Sequence, residues 1–448
     1  MAARSLDAQQ FGLDVTGQNI ANVNTDGYAR RRVALTEIAS PGGASDGGVM
    51  ISGAPAQRDA FLEARMRGEE PGVELGGTIA NALSVVQTSL GQTGKSIDGD
   101  LAAFFQAFGV LSQDPTSSVS RDTVITQGVR LARSFNGMSA RLDTSRTAAD
   151  TQINGSLSQI NALTAQIASL NASIAGASGT SVESLKDQQA IALRSLSKLA
   201  AVGVMARSDG GMDVTIGNGR ALVVGGNSYQ VTATPTPPAG MTAITLNGSD
   251  ITAEITGGRV GGALQVRDTL VPGYQAQLDQ LANAVVTQVN TVHTTGVDLN
   301  GNPGGNFFTP LAAVAGSAKN IAVGPALAAN GNLLAASQSG AVGDNQIAKA
   351  LAALADAPTV GASGATFTQA WSQLVFQVGS DTAGAGATQQ SHQDIMNAVR
   401  QLRDSVSGVS LDDEATALLT FQRGYQANAK YFATVNSVLD LLMNMVGA

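Results

Sequence analysis

Side chains able to do chemistry are few and scattered in this chain. Two histidines, His293 and His392, stand far apart, and there is no cysteine among 448 residues. Without thiols there is no disulfide, thiolate nucleophile or thiolate metal site. No carboxylate spacing around either imidazole makes a metal centre, so both are expected on the surface or on helix faces. Asp298-Leu299-Asn300-Gly301-Asn302 opens like a calcium loop, but its twelfth position, where a bidentate glutamate is needed, is Thr309. A polar turn is the expectation there. Neither a G-x-x-x-x-G-K-[ST] nor a G-x-G-x-x-G phosphate loop occurs. Asp412-Asp413-Glu414 suits the opening turn of a helix through the helix dipole alone. The basic run Arg30-Arg31-Arg32 is either a solvated loop or the partner of that acidic run, in the same or a neighbouring subunit. No catalytic, cofactor or metal residue is assigned, which points away from an enzyme.

What remains is a pattern suited to assembly. Leu411, Leu418, Tyr425, Phe432, Leu439 and Val446 recur every seventh residue, with Val435 and Leu442 as a second row. Seven residues are two helical turns, so these side chains make a seam along one helix face. A continuous helix from Leu411 to Val446 would be roughly 54 Å long at 1.5 Å per residue. Ala3, Leu6, Leu13 and Ile20 supply a weaker strip at the other end of the chain. Isolated helices of such length are marginal in water, so the two ends are expected to pair as a coiled coil.

Bulk properties narrow the class. A net charge of −8 and a pI near 4.8 argue against a nucleic-acid surface. No run of 18 apolar residues spans a membrane, and the N-terminus shows no cleavable secretory signal. The 52 glycines, with 13% charged and 4% aromatic residues, are a composition common in bacterial surface appendages.

Proline placement suggests where long helices fit: between Pro115 and Pro235, and after Pro358. One very long helix, or two in line, is expected from the Asp114–Ser118 turn to about Gly176–Gly179, followed by another from Val182 to Leu199. From Gly203 to Gly262 the texture changes to β-branched runs between Asp209-Gly210 and Asn247-Gly248 turns, a small inserted β domain. Helical periodicity returns at Ala263. The expected fold is mainly α with a nested architecture. Residues 1–50 and 405–448 form a terminal coiled-coil domain, 51–202 and 263–404 a long helical-bundle body, and 203–262 the β insertion.

Two end segments carry a resemblance. Asn19-Ile20-Ala21-Asn22-Val23-Asn24-Thr25-Asp26-Gly27-Tyr28 is similar to the N-terminal motif of the axial proteins of the bacterial flagellum, the rod, hook and hook-associated proteins. Ser407–Glu414 with Gln422-Arg423-Gly424-Tyr425-Gln426-Ala427-Asn428-Ala429-Lys430 resembles their C-terminal motif. Within that group, Phe104-Phe105-Gln106-Ala107-Phe108, Leu111–Thr116, Leu131–Asn136, Gly273–Leu281 and the stretch His293–Phe308 resemble the hook-associated protein 1 family.

The resemblance implies a structural subunit of the hook–filament junction that forms a helical ring of identical copies. It implies hook protein on one side, a second hook-associated protein or flagellin on the other, and a cytoplasmic export chaperone. It implies an extracellular location reached by type III export without signal cleavage, with no nucleic-acid partner and no membrane insertion. A distal rod or hook protein and a secreted coiled-coil adhesin are the alternatives. Expected interface residues are Leu6, Leu13, Ile20, Asn22, Asn24, Gly27, Tyr28, Leu411, Leu418, Tyr425, Phe432, Val435, Leu439 and Leu442. Relatives usually carry further residues before the segment that begins here at Ala2, so a shortened N-terminus is also expected.

Overall fold

A computed structural model describes residues 2–25, 27–37, 49–90, 96–177, 181–236, 240–361 and 364–446. Asp26 of the N-terminal motif and the Ser178-Gly179 helix end fall outside these residues, as does the side chain of Val446. The chain is mainly α with small inserted antiparallel sheets. It opens with α1 (Ala2–Ala21), a hairpin of β1 (Ala34–Glu37) and β2 (Val49–Gly53), then α2 (Ala60–Leu90), α3 (Ile97–Leu111), α4 (Ser118–Gly176) and α5 (Ser181–Leu199). A four-stranded meander follows, β3 (Val202–Ala206), β4 (Met212–Ile216), β5 (Arg220–Val224) and β6 (Asn227–Ser228). A three-stranded one comes next, β7 (Val231–Thr236), β8 (Met241–Leu246) and β9 (Ser249–Asp250). Helix α6 (Gly258–Gln265) passes through a π turn at Val266–Leu270 into α7 (Val271–His293). Short helices α8 (Ser317–Asn320), α9 (Pro325–Ala329) and α10 (Gln346–Ala353) lead to the long α11 (Phe367–Ser407) and α12 (Leu411–Val446).

Helix α4 is the spine. Its 59 residues begin after the N-cap Ser117, whose hydroxyl accepts the Ser120 N–H, and span roughly 88 Å at 1.5 Å per residue. Val124, Leu131, Phe135, Met138, Leu142, Ile153, Leu157, Ile160, Ile167 and Ile174 line its buried face. Polar side chains on the same helix hold the sheets. Asn161 exchanges two bonds with the Val231 backbone, 2.8 and 2.9 Å, and Asn171 reaches Met212 and Gly225. Val214, Leu222, Val231 and Ile244 of the sheets belong to the same buried cluster as the helices. The β8–β9 turn uses Asn247 and Gly248 at φ 51° and 78°, the left-handed pair that tight hairpins require.

Helix α2 corrects the proline argument. It runs 31 residues with Pro71 inside it, although a proline within a helix ordinarily costs about 3 kcal/mol. The same stretch is packed very closely against α11. A Cβ on Gly76 would lie 2.7 Å from the Ala385 carbonyl oxygen, and one on Gly77 2.8 Å from the Gln389 side chain. Tertiary contact along the whole helix outweighs one local penalty.

Both histidines stand on helices, as expected, but one of them is deeply buried. His293 is 1% exposed. Its Nδ1–H donates to the Gly305 carbonyl at 2.6 Å while Nε2 accepts the Ala335 N–H at 2.9 Å. That pattern requires the neutral ring, and burial pulls its pKa below the ordinary 6.5. His392 lies between α11 and α2, its Nδ1 2.7 Å from Glu69 Oε2. Asp298 closes a polar turn, as expected, by accepting the N–H groups of Asn300 and Asn302.

Candidate assembly interface

Helices α1 and α12 pack side by side in opposite directions. A Cβ on Gly12 would strike the Phe421 ring, and one on Gly424 would strike the Gln9 side chain. The α1 face that meets α12 therefore consists of small or polar residues. Ala8, Gly12, Val15, Thr16 and Asn19 are buried, whereas Leu6, Leu13 and Ile20 flank the contact half-buried. No large apolar residue marks this stripe in the sequence. Its signal was the spacing Ala8, Gly12, Val15, Asn19, one face of a helix built for close approach.

The far end of the pair is held by a polar knot. Asn19 is 1% exposed and uses every hydrogen-bonding position it has. Its Nδ2 donates to the Arg31 carbonyl at 2.9 Å and to Glu414 Oε2 at 3.0 Å. Its Oδ1 accepts the Tyr28 hydroxyl at 2.8 Å and the Arg31 N–H at 3.0 Å. Glu414, 2% exposed, takes the Arg30 Nε–H at 2.7 Å on its other oxygen, and Arg30 also reaches Asp413 at 3.2 Å. The expected meeting of the basic and acidic runs thus occurs within one chain, but through Arg30 alone. Arg31 turns away to Asp187, at 2.9 Å, which Arg58 also pairs. Burial raises the Tyr28 phenol above its ordinary value, with Arg31 opposing and Glu414 adding to the shift.

The turn between these residues follows from its sequence. Asn22 Nδ2 donates to the Gln18 carbonyl at the end of α1, and its own carbonyl accepts the Thr25 N–H. Gly27 has φ +81°, and a Cβ there would come within 2.9 Å of Ile191 on α5. Asn24 is exposed. The Arg30 N–H then bonds to the Ser407 carbonyl, tying this segment to the end of α11.

Along α12 the seam is largely uncovered. Leu418 and Val435 are half-buried, while Tyr425 is 40% exposed, Phe432 41%, Leu411 53%, Leu439 52% and Leu442 50%. Val438, Leu441, Met443 and Met445 extend this apolar surface toward the C-terminus. No group of acidic, histidine or cysteine side chains among the described residues could hold a metal, and no described helix is long and apolar enough to cross a membrane.

Paired termini with an uncovered apolar seam define a subunit shaped for assembly, and the matches at both ends of the chain are to flagellar axial proteins. Residues 1–28 match the model of flagella basal body rod proteins, and residues 400–445 that of the flagellar basal body rod FlgEFG protein C-terminal region. Residues 83–308 match the flagellar hook-associated protein FlgK helical domain, and the chain belongs to that family. Flagellar hook-associated protein 1 of Salmonella typhimurium is 25% identical, covering 99% of both chains. The Bacillus subtilis protein of that name is 27% identical, covering 100% of this chain and 97% of its own. In structure, the flagellar hook junction protein FlgK from Burkholderia pseudomallei aligns at a TM-score of 0.69 and 18% identity, over 76% of this chain and all of that one.

Proposed function

We propose that this chain is a structural, non-catalytic subunit of the junction between flagellar hook and filament. The observation that carries the reading is the α12 seam, fixed in direction by the Asn19–Glu414–Arg30 knot and left exposed at Tyr425, Phe432 and Leu439. An uncovered apolar stripe on a rigid helix pair suits further helices from neighbouring copies. The terminal segments (1–50 and 405–448) would carry assembly, the body (51–202 and 263–404) lateral packing, and the inserted sheets (203–262) the outward surface. Leu6, Leu13 and Ile20 would join the α12 seam in the contacts between copies. Asn22, Asn24, Gly27 and Tyr28 would set the turn beside that contact.

On this reading the neighbours are further copies, hook protein, and a second hook-associated protein or flagellin. The chain would reach the cell exterior by the flagellar export route without signal cleavage, accompanied by a chaperone in the cytoplasm. Deleting the gene tests the position. Hooks without filaments, with filament protein released into the medium, support the junction. Loss of hooks as well would move the chain to an earlier place on the axis.

A further inference from the structure

We propose that neighbouring copies lock into axial register through two charge pairs, Asp14 with Arg423 and Asp7 with Lys430, across a stagger of about one helical turn. The inference rests on the reading that copies assemble through their terminal helices. Asp7 and Asp14 are two of the three charged residues of α1, and Arg423 and Lys430 are the only ones between Ala415 and Leu439 of α12. All four are exposed, and none has an ion-pair partner among the described residues. Each couple is spaced by seven residues, so its members stand nearly one above the other.

Both couples face away from the partner helix within the chain. Asp7 and Asp14 lie about 120° around α1 from the Ala8–Gly12–Val15–Asn19 face, at 100° per residue. Arg423 and Lys430 lie about 150° around α12 from the Glu414–Phe421–Gly424 face on the same count. A second copy in the same orientation would therefore set its α1 against this copy's α12, acidic couple to basic couple. Such a head-to-tail contact repeats around a ring or along a helix.

The register follows from the pairing inside one chain. Gln9 lies against Gly424, Gly12 against Phe421 and Asn19 against Glu414. Asp14 is thus level with Leu419, and Asp7 with Gln426. Arg423 stands four residues beyond Leu419, and Lys430 four beyond Gln426. One displacement of about 6 Å along the axis, at 1.5 Å per residue, brings both pairs together at once. Arg4, the third charge of α1, lies one turn from Asp7, so the Asp14–Arg423 pair has the less crowded surroundings.

The lack of native cysteine makes the test clean. Full-length chain carrying Asp14→Cys with Arg423→Cys is expressed in cells lacking their own copy. Sheared hooks with filaments are oxidised and run on a non-reducing gel blotted for this chain. A ladder of dimers and higher multimers is expected. Asp14→Cys with Thr416→Cys, one turn in the other direction, should stay monomeric; the opposite result for the two variants overturns the register.

In parallel, Asp7→Lys with Asp14→Lys should lower the fraction of cells with filaments about tenfold, through like-charge contacts. Adding Arg423→Asp and Lys430→Asp should restore it. Filaments undisturbed by the acidic reversal, or unrescued by the fourfold one, overturn the pairing while leaving assembly intact. Absence of the wild-type chain from sheared hooks would overturn the assembly reading itself.

Discussion

Asn19 shows how one side chain sets the geometry of both chain ends. Replacement by aspartate keeps the shape but removes the donor that faces Glu414 and sets two carboxylates about 3 Å apart in a buried place. Asn19→Asp is expected to cost about 3 kcal/mol, read as loss of protease resistance at residues 2–32 and 408–446 with the body's melting unchanged. Asn19→Ser should cost less, since it introduces no charge. His293 is the second decisive side chain. Its pKa is depressed on folding, so the unfolded chain binds more protons just below the ordinary value of 6.5. Body stability should be fully present above that pH and fall as pH drops through it. Urea midpoints measured from pH 8 to 5 should show this decline in wild type, and His293→Gln, less stable throughout, should show a shallower one.

At the scale of elements, glycine separates two kinds of helix position. Gly76 stands where a Cβ would meet the α11 backbone, whereas Gly137 on α4 has nothing within 4 Å. Gly76→Ala should destabilise by about 1–3 kcal/mol through overpacking, and Gly137→Ala should stabilise by about 0.5–1 kcal/mol through helix propensity. Thermal unfolding of the two variants beside wild type checks both signs. This contrast also explains what was legible. The long α4 could be read because Val124 to Ile174 repeat large apolar residues at helical spacing. The α2–α11 contact could not, because Gly72, Gly76 and Gly77 are recognisable as a packing face only when the opposing helix is present. Likewise Leu6, Leu13 and Ile20 are visible in a hydrophobic pattern, while the Ala8–Gly12–Val15 stripe that touches α12 is not.

For the whole molecule, folding and assembly are expected to separate. Replacing Tyr425, Phe432 and Leu439 together by serine changes surface that the isolated chain leaves uncovered, so its melting temperature should shift by only a few degrees. Filament formation in cells carrying this variant should nevertheless be lost. Unchanged filaments would remove the seam from the contact between copies. The sequence by itself determined the mainly helical class, the heptad seam, the turn at Asn22–Tyr28 and the absence of thiol chemistry, because each depends on residue type at short spacing. Only the tertiary structure decided that Arg30, of the three arginines, is the one that answers Glu414, that Arg31 goes to Asp187, that His293 is buried neutral, and which stripe of α1 meets α12. Those outcomes depend on partners tens to hundreds of residues apart, whose geometry is set by close packing of backbones that no local pattern records.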